Sequence, residues 1–465
     1  MPNAMSENSE KLPVVVRFMP GFIKRRIEDR PNLVKILDNI GWLFFDKILR
    51  MGVGLIVGVW VARYLGPEQF GLFNFATAFV GMFGVIAGLG LQGVVVRDLV
   101  REPYSKEEIL GSAVALQMVG GLVAYGLTLC AIFWLRPDDA LAKTIVAILG
   151  SMMLFKASEV AVCWFESQVL SKFTVWVQNG TFLVFASIKV LLVLKGAPLI
   201  AFVWVTMAEG GAVALMMLVV LGACGPRMRH LQVKVSRAKS LFADSWPLLL
   251  SGITVMIYMR IDQVMLGQMV GDEAVGIYSS AVRISEVCYF VPMTIIGSVF
   301  PAILESKNRC KDLYYRRLQR LYDLMVWLAI VIALPMTFLS APIVALLLGD
   351  AYVSAASILT IHIWAAIFVF LGVASGQWFL AENRQVLSLQ RTVLGTIMNV
   401  ILNVALIPRY GALGAAWATV VAQLSAALLF DLIQKETRLM FIMKMRSLNL
   451  ISVIRRFQSF SGVSQ

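Results

Sequence analysis

Apolar runs long enough to cross a bilayer recur along this chain, separated by short polar breaks. They lie at roughly 40–62, 71–95, 110–135, 142–165, 174–194 and 198–222. After a break rich in basic residues they resume at roughly 246–268, 274–303, 319–348, 352–380, 385–407 and 411–434. A lipid-exposed span must satisfy its own backbone hydrogen bonds, so the pattern predicts α-helices, about twelve in all. No strand-period alternation competes with them. The expected fold is therefore an all-α polytopic membrane protein. Its expected divisions are a basic segment 1–39, an N-lobe of six helices over 40–222, a basic linker 223–245, a C-lobe of six helices over 246–434, and a basic tail 435–465.

The two sets of spans share a turn pattern. "RYLGPEQFGLFNFA", from Arg63, aligns with "GQMVGDEAVGIYSSA", from Gly267. Gly66, Glu68, Gly71 and Phe73 match Gly271, Glu273, Gly276 and Tyr278, every pair 205 positions apart. Trp42 and Trp246 open the preceding spans at nearly the same offset, and "KGAPLIAFVW" later corresponds to "YGALGAAW". An even number of spans per half preserves orientation, so the expected architecture is a pair of parallel repeats around a central cleft. Rocking of one lobe against the other then gives alternating access.

Composition agrees with this reading. Hydrophobic residues make up 59% and charged residues 15% of the 465 positions, against about 25% charged in a soluble domain. The net charge of +13 would suit nucleic acid, but its placement excludes that partner. Lys and Arg gather in alternate loops: before the first span, at Arg97, Arg101 and Lys106, at Lys172, from Arg227 to Lys239, from Lys307 to Arg320, at Arg384 and in the tail. The opposite loops hold little beyond Arg63, Arg136, Lys143, Lys195 and Arg409. This bias places both termini in the cytoplasm. The first apolar run, Val14–Val16, is too short for a cleavable signal. The tail after Gln434 mixes apolar and basic residues at helical spacing, as an interfacial helix on an anionic leaflet does. Five cysteines without a C-x-x-C pair, and only His230 and His362, predict no metal site and no cofactor.

Charges inside spans carry the functional signal, because each costs at least a few kcal/mol at the centre of a bilayer. The cations are Lys47, Arg50, Lys156, Lys189, Arg260, Arg283 and Arg391; the acids are Asp46, Glu159, Glu209, Asp262 and Glu286. Spacings of three or four put Asp46 with Arg50, Lys156 with Glu159 and Arg283 with Glu286 on shared helix faces, which predicts ion pairs. Lys189 and Arg391 lie near span ends and can snorkel. Around a turn at Gly271, Asp262 and Arg283 fall at similar depth, so an Asp262–Arg283 pair across the hairpin is expected, leaving Arg260 free. Cations turned to a cleft suit an anionic substrate: Lys47, Arg50, Arg260 and Arg283 are the candidate binding residues. Asp262, Glu286, Glu209 and Glu159 are the candidate bracing or ion-coupling acids. His362 reads as a hydrogen-bonded core residue.

Two blocks, "GLIVGVWVARYLGPEQFGLFNFATAFVGMFGVIAGLGL" and "RIDQVMLGQMVGDEAVGIYSSAVRISEVCYFVPMTIIGSVFPAI", resemble the openings of the two lobes of bacterial oligosaccharide flippases of the polysaccharide transporter family. That family lies within the multidrug/oligosaccharidyl-lipid/polysaccharide exporter superfamily. The resemblance covers roughly residues 40–434. It implies a V-shaped bundle in the bacterial inner membrane that moves undecaprenyl-pyrophosphate-linked repeat units to the periplasmic leaflet, for O-antigen, capsule or exopolysaccharide. It implies a lipid-linked anionic oligosaccharide as substrate, membrane lipids as surroundings, a polysaccharide polymerase as a candidate partner and H+ or Na+ as candidate coupling ions. Arg260 and Asp262 are the residues of its "RIDQ" motif. An ion-coupled drug or metabolite antiporter of the same superfamily is the alternative; the cationic balance argues against a cationic drug. A polymerase or ligase would need a large outer loop, and the outer loops expected here are about ten residues or fewer. A transporter rather than an enzyme is therefore expected.

Overall fold

The computed structural model describes residues 31–226 and 230–449. The basic positions before Pro31, Arg227, Arg229 and the tail beyond Asn449 lie outside the described residues. Within them all regular structure is helical. The helices are α1 (Pro31–Gly88), α2 (Leu91–Arg101), α3 (Lys106–Leu135), α4 (Ala140–Gly150), α5 (Glu159–Ser167), α6 (Ser171–Leu194), α7 (Leu199–Cys224) and α8 (Val235–Met269). They continue as α9 (Asp272–Glu286), α10 (Phe290–Arg309), α11 (Lys311–Leu348), α12 (Ala355–His362), α13 (Ala365–Ala381), α14 (Gln385–Leu424), α15 (Phe430–Ile433) and α16 (Arg438–Leu448).

Among the described residues, nine helical stretches are long and apolar enough to cross a membrane. The chain is a multi-pass membrane protein, but the count does not match the twelve expected. Two of the nine, Phe44–Arg101 and Gln385–Ile433, have 58 and 49 residues. At 1.5 Å per residue each far exceeds a hydrocarbon core of about 30 Å. Each contains a glycine with positive φ, Gly66 (φ 72°) and Gly411 (φ 56°), where the helix is interrupted. Asp272–Arg309, interrupted at Val287–Tyr289, is not among the nine.

The chain groups into two compact units. The first comprises residues up to Gly58 and Phe83–Gly252; the second comprises Val59–Met82 and residues from Ile253 onward. An internal stretch of α1, Val59–Met82, thus groups with the second unit, and the start of α8 with the first.

In the first unit, α2, α3 and α5 bury Leu91, Val94, Val95, Leu99, Ile109, Leu110, Ala113, Val160 and Cys163 around Leu241 of α8. The basic linker is docked here. Arg237 pairs with Asp98 at 3.2 Å and with Glu102 at 3.1 Å, and Lys234 pairs with Glu108. The span Ala140–Ser167 is not one continuous α-helix: Ser151–Ser158 tightens to a 3₁₀ turn. Gly121 of α3 lets it approach, since a Cβ there would lie 2.4 Å from the Met153 carbonyl oxygen.

In the second unit the core is built from α10, α11, α13 and α16, with Tyr322, Met325, Phe370 and Phe379 among its fully buried side chains. Here the two matched turns meet. A Cβ on Gly71 would lie 1.7 Å from the carbonyl oxygen of Asp272, and one on Gly276 would lie 1.9 Å from that of Pro67. The contact is reciprocal, each glycine facing the first residue of the other helix. Gly66 and Gly271, which precede these helices, have φ of 72° and 125°, a region that other residues adopt at a cost. The tail is also part of this unit. The interfacial helix expected after Gln434 forms as α16, but Met440, Met443, Lys444 and Ser447 are buried in the protein.

Candidate functional site

The buried carboxylate of Asp262, on α8, is 5% exposed and accepts three hydrogen bonds in the second unit. Tyr278 Oη on α9 donates at 2.8 Å, Asn403 Nδ2 at 2.8 Å and Thr419 Oγ1 at 2.6 Å, the last two from α14 on either side of Gly411. Asn403 Nδ2 also donates to Asn399 Oδ1 at 3.0 Å, a pairing set by helical i, i+4 spacing. All three donors are neutral. Among the described residues Asp262 forms no ion pair, so its buried polar atoms are satisfied by neutral dipoles alone. Asn403 Oδ1 and Asn399 Nδ2 have no hydrogen-bond partner, which leaves polar capacity unused beside the carboxylate.

The expected Asp262–Arg283 brace is not formed. Asp262 is nine residues before Gly271, Tyr278 seven after it and Arg283 twelve after it. The three-residue excess displaces Arg283 by about 4.5 Å along the helix, and Tyr278 takes the position facing the acid. Arg283 is exposed and sits 5.9 Å from the Phe70 ring centroid. It forms no ion pair with Glu286 either, although the charges of Arg260, Arg283 and Glu286 act on one another. Arg260 is half-buried and, among the described residues, has no hydrogen bond or ion pair.

The candidates of the first unit are arranged differently. Arg50 Nε donates to Asp46 Oδ1 at 2.8 Å and to Asn179 Oδ1 at 3.2 Å, and its Nη2 donates to Gln178 Oε1 at 3.1 Å. Its guanidinium also lies 5.8 Å from the Phe182 centroid. Arg50 is therefore neutralised and fixed to α6. Lys47, one position along, is exposed. Lys156 and Glu159 pair as their spacing predicts. Lys189 does not snorkel: it reaches Glu209 at 2.7 Å and ties α6 to α7. In the second unit Arg391 does not snorkel either; its Nη1 donates to Ser375 Oγ at 2.7 Å, and it stacks 5.1 Å from the Phe379 centroid.

His362 is hydrogen-bonded in the core, its Nδ1 2.6 Å from Ser285 Oγ. The residues absent from the sequence reading are Tyr278, Asn399, Asn403 and Thr419. The two asparagines, four apart in the apolar run "IMNVILNVAL", were a legible signal of a shared polar face.

Comparison with known proteins gives the same picture at the level of the fold. The chain is 24% identical over 392 residues to the probable low-salt glycan biosynthesis flippase Agl15 of Haloferax volcanii, covering 81% of this chain and 79% of that protein. It is 26% identical over 274 residues to the succinoglycan biosynthesis transport protein ExoT of Rhizobium meliloti, covering 58% of this chain and 54% of that one. Among solved structures, an inward-facing multidrug resistance transporter of the MATE family superposes with a TM-score of 0.70 at 15% identity, covering 86% of this chain and 95% of that one. The lipid II flippase MurJ superposes with a TM-score of 0.66 at 16% identity, covering 89% and 92%. Residues 36–307, more than half of the chain, match the family described as polysaccharide biosynthesis protein, and the chain belongs to that family.

Proposed function

We propose that this protein is a flippase that moves undecaprenyl-pyrophosphate-linked oligosaccharide repeat units across the bacterial inner membrane by alternating access. The observation that carries the reading is Arg260, a half-buried cation in a membrane helix with no carboxylate within ion-pair distance among the described residues. Such a charge is costly unless a ligand completes it, and a pyrophosphate supplies two adjacent acceptor groups. Arg283, in the same unit, adds positive charge. Arg50 is assigned a bracing role, because Asp46 and two side-chain amides already satisfy it.

Asp262 is the preferred coupling acid. It accepts three hydrogen bonds from neutral donors and forms no ion pair among the described residues, which leaves the place of a cation partner to a coupling ion. Glu159 and Glu209 already have lysine partners and are assigned to bracing. This coupling site equally suits the antiporter reading, which keeps the fold and changes the substrate.

Two parallel six-helix repeats are part of the proposal. The reciprocal Gly71 and Gly276 contacts support them. So do positive φ angles at Val169 and Asn383 and at Gly196 and Gly411, 214 and 215 positions apart. Cytoplasmic termini follow from the charge bias, and a polysaccharide polymerase is the candidate downstream partner.

Deletion of the gene tests the assignment. A flippase mutant accumulates a lipid-linked saccharide on the cytoplasmic leaflet and loses a surface glycan. Intact surface glycans with no accumulated intermediate would remove the flippase reading and leave the antiporter.

A further inference from the structure

Helix α16 buries its lysine and exposes three of its aliphatic side chains. Its inward face consists of Met440, Met443, Lys444 and Ser447. Lys444 is 0% exposed, and its Nζ donates to Asp431 Oδ2 at 2.7 Å, Ala427 O at 2.9 Å and Ser375 Oγ at 3.0 Å. Ser447 Oγ donates to Asp323 Oδ1 at 2.7 Å, and Gln319 Nε2 donates to Asp323 Oδ1 and to Met443 O, each at 2.9 Å. A buried polar network therefore fixes both the position and the roll of the helix.

The outward face carries Leu439, Ile442 and Met445, 46%, 45% and 44% exposed, together with Arg438 and Arg446. At 3.6 residues per turn these five fall within about a third of the helix circumference. A helix on a water-soluble surface has the opposite arrangement, with its lysine outside and its aliphatic side chains inside. Leu432 and Ile433, just before it, are also exposed, at 46% and 67%, and extend the apolar surface of the preceding span. Arg438 forms no hydrogen bond or ion pair among the described residues. Aliphatic side chains flanked by arginines, continuous with a transmembrane surface, match the headgroup layer of an anionic bilayer.

We propose that α16 is a bilayer anchor. Leu439, Ile442 and Met445 lie in the interfacial layer, Arg438 and Arg446 receive anionic phospholipid headgroups, and the Lys444–Asp431 pair holds that face toward lipid. The occupant is lipid rather than a second protein copy, because the face is continuous with span surface and carries net positive charge.

The test uses the full-length protein with photoreactive benzoylphenylalanine in place of Ile442. The protein is reconstituted in nanodiscs of phosphatidylethanolamine with or without phosphatidylglycerol, and adducts are identified by mass spectrometry. The expected products are lipid adducts, enriched in phosphatidylglycerol where it is present. Arg438→Glu and Arg446→Glu should each lower that enrichment roughly fivefold and change nothing in discs of phosphatidylethanolamine alone. Adducts to a second copy of the chain, or no lipid adduct at all, would overturn the anchor. Lipid adducts indifferent to phosphatidylglycerol and to both charge reversals would overturn the anionic-headgroup assignment.

Discussion

The candidate residues of the two units keep their charges in different ways. In the first, Arg50, Lys156 and Lys189 each face a carboxylate, Asp46, Glu159 and Glu209 respectively. In the second, Asp262 is held by a tyrosine, an asparagine and a threonine, while Arg260 and Arg283 have no carboxylate within ion-pair distance among the described residues. Paired charges cost little to keep and give rigidity; unpaired ones persist where a ligand or an exchangeable ion completes them. The proposed roles rest on this difference, with bracing in the first unit and binding and ion exchange in the second.

The largest effect is expected at Asp262. Asp262→Asn keeps the shape and removes the charge; its Oδ1 can still accept from Asn403, while its Nδ2 must donate to the Tyr278 and Thr419 hydroxyls instead of accepting from them. Ion-driven transport should fall to background while the protein still purifies as a folded species. Glu209→Gln should leave transport within about twofold, since a paired brace is not the coupling acid. Equal losses at the two sites would erase the contrast between the units.

Next in size are the reciprocal glycines. Gly71→Ala and Gly276→Ala each drive a methyl group into a facing carbonyl, and overpacking of this kind costs about 1–3 kcal/mol. Both should lower the melting temperature in detergent by similar amounts, because the contact is the same seen from either side. A loss at only one of them would show that the reciprocity is not shared in energy.

The Lys189–Glu209 pair comes third. Lys189→Gln and Glu209→Gln should each destabilise the protein by about 1–3 kcal/mol, and the double substitution by less than their sum. Additive losses in unfolding measurements would mean that the two side chains do not support one another.

The last effect is a pH dependence at the tail. Burial pulls the Lys444 ammonium down from 10.5 to about 8, against the pull of Asp431. Between those values the unfolded chain holds a proton that the folded protein has shed, so stability should rise as pH increases from about 8 to 10.5. The rise should be absent in Lys444→Gln, measured as the difference in melting temperature between the two proteins across that window.

Much of the architecture was legible in the sequence, because hydrophobic runs of membrane length have few alternatives to helices. The matched glycine turns were legible too, since Gly66 and Gly271 occupy backbone angles that favour glycine. Pairs within a helix followed from spacing, as with Asp46–Arg50 and Lys156–Glu159. Pairs between helices did not. Lys189 finds Glu209, and Asp262 finds Tyr278, Asn403 and Thr419, through helix rotations that no local pattern fixes. The roll of the tail helix was not legible for a related reason. An apolar and basic repeat announces an amphipathic helix but not which face turns inward, and here Asp431 draws Lys444 into the core.

The central claim is that this chain flips a pyrophosphate-linked lipid and that Arg260 holds the anion. Purified protein in proteoliposomes, supplied with a fluorescent undecaprenyl-pyrophosphate saccharide, tests it directly. The account predicts accelerated movement between leaflets. It also predicts that Arg260→Gln slows this movement roughly 10- to 150-fold, the worth of one charge-assisted contact of about 1.5–3 kcal/mol, while Arg50→Gln chiefly lowers stability. No acceleration by the wild-type protein, or full activity in Arg260→Gln, would contradict it.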